Sequence, residues 1–256
     1  MLFRSIALVF AATFSLALAS HSWGGYHWAR TSNPFTLKLG DNLSNNWKSY
    51  LATASKDWSL SQVLDTTVVT GNAGKNCRPT FGRVEVCSNR YGNNGWLGIA
   101  QIWVNGSHIA QGITKMNDTY FATPTYNNPA WKQFVMCQEV GHTFGLDHQD
   151  EIFNNVNLGT CMDYTNDPDG KIYGQLSNLS TNSHDYQELD LIYTHTDTTT
   201  TISQVSKNGN AFGSQDEDNK AQWGKSLKKN IRGKDSLFEK DFGKGEKVFT
   251  FVIWAD

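Results

Sequence analysis

What this 256-residue chain has little of narrows its function first. Charged residues are only 18%, and 22 Lys plus Arg face 24 Asp plus Glu, so no surplus of one sign draws nucleic acid or an anionic membrane. Beyond residue 20 no apolar run reaches the about 18 residues a membrane helix needs, and the mean hydropathy is −0.48, so no span is expected there. No internal period of the kind that marks solenoids or propellers is present. There is no G-x-S-x-G elbow and no phosphate-cradling glycine loop, which removes the serine-hydrolase and nucleotide readings. With 39% hydrophobic and 12% aromatic residues, a folded chain is expected, with one core or a core plus a small appendage.

What is there begins with a leader. Arg4 precedes apolar residues 6–19, which end in Ala17-Leu18-Ala19, so residues 1–19 read as a signal peptide and the protein as secreted and extracellular. An oxidising compartment turns the four cysteines into two expected disulfides. Of the three possible pairings, the short loop favours Cys77 with Cys87. Sequons at Asn42, Asn105, Asn117 and Asn178 fit a secreted glycoprotein.

Along the mature chain, residues 35–39 and 63–69 read as strands flanking a helix that Ser44 caps and that carries Trp47, Tyr50, Leu51 and Ala54. Residues 81–87 alternate again. Runs 97–104 and 108–115 are joined by Asn105-Gly106, the strongest short hairpin signal. Asn128 as cap and Pro129 in the first turn start a helix that runs to about Phe144. A further helix is expected from Asp185 to about Tyr193. Residues 196–222 are polar and read as a linker or loop; residues 223–256 are basic and end in a β-rich run read as extra strands. The basic cluster reads as a solvated face. Trp47, Trp103 and Trp131 fall on periodic positions and read as packing.

The chemistry concentrates at QEVGHTFGLDH, residues 138–148, one position away from the zinc pattern HExxHxxGxxH. Gln138 and His142 are four apart and share one face of a helix. Glu139 then sits beside the metal, where a carboxylate can take a proton from water. The third ligand, His148, returns to the same ion only if the helix ends, and Gly145 allows that turn. Gln138 replaces one neutral ligand by another, so site charge is kept while the donor is weaker for zinc. His21, His27, His108, His184 and His195 lack ligand spacing and read as surface or satisfied partners.

This motif, followed by Cys161-Met162-Asp163-Tyr164 and by HDYQELDLIY, resembles secreted metzincin-type zinc metallopeptidases, in particular a group of small fungal and bacterial proteins. The resemblance implies an α+β fold: a twisted, mostly parallel sheet of about five strands, an active-site helix, a Met-turn, a C-terminal helix and extra β-strands. It implies a catalytic domain over residues 20–195, Zn2+ on Gln138, His142 and His148, Glu139 as general base, Tyr164 near the oxyanion and Met162 in the turn below the metal. It also favours a Cys137–Cys161 bridge, since these residues directly precede the first ligand and the Met. Strand 97–104 or its hairpin partner is expected to be the edge to which an extended peptide adds. The expected activity is that of a monomeric endopeptidase acting on peptide or protein substrates, active without removal of a pro-segment. The rival is a catalytically silent metzincin-like binding or effector protein, with a glycan-binding module a distant third.

Overall fold

The computed structural model describes residues 21–74, 76–204 and 218–255; the signal-peptide expectation and residues 205–217 of the expected linker lie outside them. The elements in chain order are β1 (His27–Trp28), β2 (Phe35–Asn42), α1 (Lys48–Trp58), β3 (Leu64–Thr70), β4 (Val84–Asn89), β5 (Trp96–Asn105), β6 (His108–Asn117), α2 (Asp118–Phe121), α3 (Pro129–His142), α4 (Ser183–Ile192), β7 (Lys225–Lys229), β8 (Asp235–Gly243) and β9 (Glu246–Trp254). The class is α+β, a mixed sheet with a few helices.

Five strands, β3-β2-β4-β6-β5, form a mostly parallel part of the sheet in which only the β5/β6 pair is antiparallel, and the C-terminal strands continue it. The described strands form one nine-stranded sheet in the order β3-β2-β4-β6-β5-β9-β8-β7, with β1 beside β6. Pairs β1/β6, β2/β3, β2/β4 and β4/β6 are parallel, while β5/β6, β5/β9, β7/β8 and β8/β9 are antiparallel. The reason lies in the connections: α1 is a crossover that returns β3 parallel to β2, whereas tight hairpins can join only antiparallel strands. Gly106 supplies the positive φ (+60°) of the β5–β6 hairpin.

The C-terminal strands dock on the core and continue its sheet. β5 is apolar on both faces, so it belongs in the middle of a sheet, and β9 pairs with it along its whole length. Leu237, Phe249, Phe251 and Ile253 from β8 and β9 join Trp28, Leu39, Trp58, Val84, Phe134 and Val140 in one core. The outer strand β7 reads KSLKK, and lysines on an edge discourage pairing with other chains. Residues 196–204 are also fastened: Asp197 N–H donates to Arg30 O (2.8 Å) and Thr201 N–H to Ala29 O (2.9 Å).

Cys77 is bonded to Cys87 and Cys137 to Cys161. Helix α1 begins at Lys48 rather than at a Ser44 cap; Trp47 precedes it with no capping side chain. Helix α4 starts at Ser183 because Asn182 and Asp185 form a capping box. Of the four sequons only Asn105 is exposed; Asn117 and Asn178 are buried in hydrogen bonds to Gly92 O, Asn94 and Asp163, which leaves no room for a glycan on the folded chain.

Candidate metal centre

Helix α3 carries the first half of the site. The Asn128 side chain accepts from Trp131 N–H at its start, and Pro129 occupies the first turn, where no N–H partner is needed. Its C-terminal half is buried against α1 and the sheet; Trp58 Nε1–H donates to Cys137 O across the helix pair (3.1 Å). The helix then tightens and stops at Gly145, whose φ is +97°. A Cβ there would run into Tyr26 O, so glycine is required both for the backbone turn and for the passing N-terminal segment.

That turn brings His148 back to His142. Their Nε2 atoms are 3.0 Å apart and the rings are perpendicular. Partners on the opposite nitrogens fix the tautomers. His142 Nδ1 lies 2.9 Å from Leu146 O, and a carbonyl only accepts, so Nδ1 carries the hydrogen. His148 Nδ1 lies 2.8 Å from Glu151 Oε1. Burial alone would raise the Glu151 pKa, but the hydrogen bond and charge of His148, with Lys228, hold it at about 2, so it too accepts. When both rings are neutral, the two Nε2 lone pairs face one another. Protonating His142 is opposed, because burial and then the neighbouring His148 push its pKa well below the usual histidine value. A cation between the two nitrogens, a metal ion or a single shared proton, relieves the conflict.

Gln138 lies one turn before His142 on the same helix, fully buried, and neither its Oε1 nor its Nε2 has a hydrogen-bond partner among the described residues. Glu139 is buried with both carboxylate oxygens likewise unpartnered, and burial pushes its pKa well above the carboxylate range. It fits only because Gly98 of β5 has no side chain; a Cβ there would lie 2.8 Å from Glu139 Oε1. Unpaired polar groups of this kind are costly unless something meets them, and their donor chemistry suits a zinc ion.

Residues 160–163 form a turn, closed by Asp163 N–H donating to Thr160 O (3.3 Å), that sets Met162 beneath α3. A Cβ on Gly141 would lie 2.7 Å from Met162 Sδ. The Tyr164 ring packs against His148 (4.3 Å between centroids), but its hydroxyl donates to Val252 O (3.3 Å), and burial raises its pKa well above 10. In this arrangement the hydroxyl is engaged by the chain itself.

The expected substrate edge is not free. β5 is paired on both sides, by β6 and β9, and β6 by β4 and β5. β9 takes the place an added peptide would need, because a buried apolar strand with an open edge demands a partner. Phe251 of β9 stacks on the His142 ring at 4.3 Å with a 10° interplanar angle. The C-terminal strands also reach the second layer: Lys228 Nζ of β7 lies 3.0 Å from both Asp147 Oδ2 and Glu151 Oε1. Burial opposes the Lys228 charge, but the two carboxylates outweigh it and raise its pKa. Glu151, Asp147, Lys228 and Phe251 escaped sequence reasoning. The spacing of Glu151 three residues after His148 is the one local signal that could have found any of them.

No family model matches the chain, and no curated protein matches it. Among solved structures, one similar in fold is High choriolytic enzyme 1, a hatching enzyme zinc-protease of the medaka fish Oryzias latipes. It is 10% identical, with a TM-score of 0.38, over 67% of this chain and 96% of that one. The metal reading rests on this chain's own residues.

Proposed function

We propose that this protein is a secreted, monomeric zinc-dependent endopeptidase whose cleft is closed by its own C-terminal hairpin. The observation that carries the reading is the pair of Nε2 atoms of His142 and His148, 3.0 Å apart, together with an unpartnered buried carboxyl at Glu139 on the same helix. Gln138, His142 and His148 would hold the ion. Bound zinc would supply the positive charge that keeps Glu139 ionised, acidifies water and polarises a peptide carbonyl. Glu139 then takes the proton from the attacking water and returns it to the leaving amine. Tyr164, released from Val252 O, donates its hydroxyl to the carbonyl oxygen as charge builds there. Leu146 O and Glu151 hold the two imidazoles in the tautomer that turns Nε2 inward. An extended peptide pairs with β5 when β9 yields the edge, so latency resides in β9. Two disulfides, and the lack among the described residues of any helix long and apolar enough to cross a membrane, fit a secreted protein.

The pairing of β9 with β5 favours a second reading, a metal-braced scaffold that binds without cleaving. Zinc analysis of the full mature chain and of His142→Ala, with digestion of an unstructured casein, separates the two. Chelator-sensitive cleavage that Glu139→Ala abolishes is the expected result. Zinc bound at His142 with no cleavage would leave the scaffold, and no zinc lost on His142→Ala would remove both readings.

A further inference from the structure

Three more histidines and an aspartate meet away from α3. His27 and His108 face each other in the β1/β6 register, and the segment after α4 brings His195 and Asp197 against them. His108 Nε2 lies 3.1 Å from Asp197 Oδ1 and His27 Nε2 3.5 Å from the same oxygen. His195 Nε2 lies 3.2 Å from His27 Nε2 and 3.7 Å from Asp197 Oδ1. Ligands at about 2.0–2.1 Å around a tetrahedral zinc stand about 3.3–3.4 Å from one another, and these four of the six separations bracket that edge length; the ligand atoms of His27, His108 and Asp197 already lie within 4.8 Å of one another, and the exposed His195 ring has to turn toward His108 to complete the set.

We infer that His27, His108, His195 and Asp197 form a second, structural zinc site of the His3Asp type, separate from the centre on α3. The side chains are prepared for it from outside. His27 Nδ1 donates to Gly25 O (2.8 Å), so its Nε2 lone pair points into the cluster. Asp197 Oδ2 is taken by the Arg30 backbone N–H and guanidinium, both at 3.1 Å, which leaves Oδ1 for the interior. Arg30 is itself buried and also donates to Tyr193 O (2.8 Å), so the carboxylate is held in one orientation. His108 and His195 are partly open to solvent, giving an ion a way in. With four protein ligands the site has no open position for water or substrate, as structural rather than catalytic zinc sites require.

The ion would join three stretches that are far apart in sequence: the N-terminal strand β1, the start of β6 and the segment leaving α4. β1 in turn braces the first centre, because Trp28 Nε1–H donates to Thr143 O at the end of α3 (2.9 Å). The bland alternative is a hydrogen-bonded histidine cluster that holds no ion.

The test uses the full mature chain, stripped with chelator and dialysed against Zn2+, with Co2+ as the spectroscopic probe. His195→Ala and His108→Ala alter the two most exposed ligands, so both variants fold. Each is expected to bind one equivalent of zinc fewer than the wild type and to lose one set of visible tetrahedral cobalt bands. In chelator their unfolding midpoints should match the wild type, and zinc should raise the wild-type midpoint by more. His148→Ala should keep the equivalent that His195→Ala loses. Equal zinc uptake by wild type, His108→Ala and His195→Ala would overturn the proposal, as would midpoints lowered equally with and without zinc.

Discussion

Gly145→Ala tests the chain reversal on which the α3 centre depends. The residue sits at φ +97°, and an L-residue forced to positive φ pays about 1–2 kcal/mol. Its Cβ would also meet Tyr26 O, so the N-terminal segment has to move away. That movement breaks the Trp23 N–H bond to Gly145 O (2.9 Å) and disturbs the Ser22–Leu146 bridge, at about 1 kcal/mol for each bond lost. The total is about 3–4 kcal/mol, which for a chain of this size lowers Tm by about 6–16 °C. Gly233→Ala is the control, because its φ is +74° and nothing lies within 4 Å of an added Cβ, so it pays the conformational cost alone. Urea and thermal unfolding of both variants in chelator give the comparison without a contribution from metal. If Gly145→Ala costs no more than Gly233→Ala, the argument for a crowded turn is wrong.

Gly141→Ala should lose about 1–3 kcal/mol in urea unfolding, outweighing the about 1 kcal/mol that alanine gains in a helix, since its Cβ meets Trp58 at 2.5 Å and Met162 Sδ at 2.7 Å. Replacing both Cys137 and Cys161 by Ala opens a 24-residue loop and should cost about 3.4 kcal/mol; the same change at Cys77 and Cys87, 10 apart, should cost about 2.7 kcal/mol, an order that urea midpoints check. Glu151 has a folded pKa of about 2, below its unfolded value, so its contribution is present above about pH 4.3 and fades as pH falls toward 2. Glu151→Gln should therefore be less stable than wild type at pH 6, by at most about 3 kcal/mol, with the gap narrowing by pH 3. Asp163 has the opposite sign: burial raises its pKa to about 6 despite hydrogen bonds from Leu158 N–H and Asn178, so stability falls as pH rises from about 3.9 to 6. Asp163→Asn should be more stable at pH 7 by on the order of 2 kcal/mol in the same assay, and no gain would count against a costly buried charge.

The parts legible in the sequence are those set by neighbours along the chain. Asn128-Pro129 announces α3 because capping and the first-turn proline act within three residues. Asn105-Gly106 announces the β5–β6 hairpin for the same reason, and Gly145 the end of the helix. Residues 246–254 can be read as a strand, but nothing local says that they pair with β5 and lay Phe251 over His142. That choice is made by the unsatisfied edge of a buried strand far upstream. Lys228 reads as one solvated lysine among many until the fold sets it between Asp147 and Glu151. The cluster of His27, His108 and His195 is invisible for a like reason: its spacing exists across strands and not along the chain. Ser44 misleads because Trp47, a poor capping residue, is anchored by Asp118 instead, its Nε1–H donating at 2.7 Å.

β9 follows the other described strands in sequence yet lies in the interior of the sheet between β5 and β8. A ribosome delivers residues in order, at about 5–20 per second, so β5 and His142 emerge long before the strand that covers them. During synthesis the β5 edge and the histidines lie open until β9 has emerged and docked.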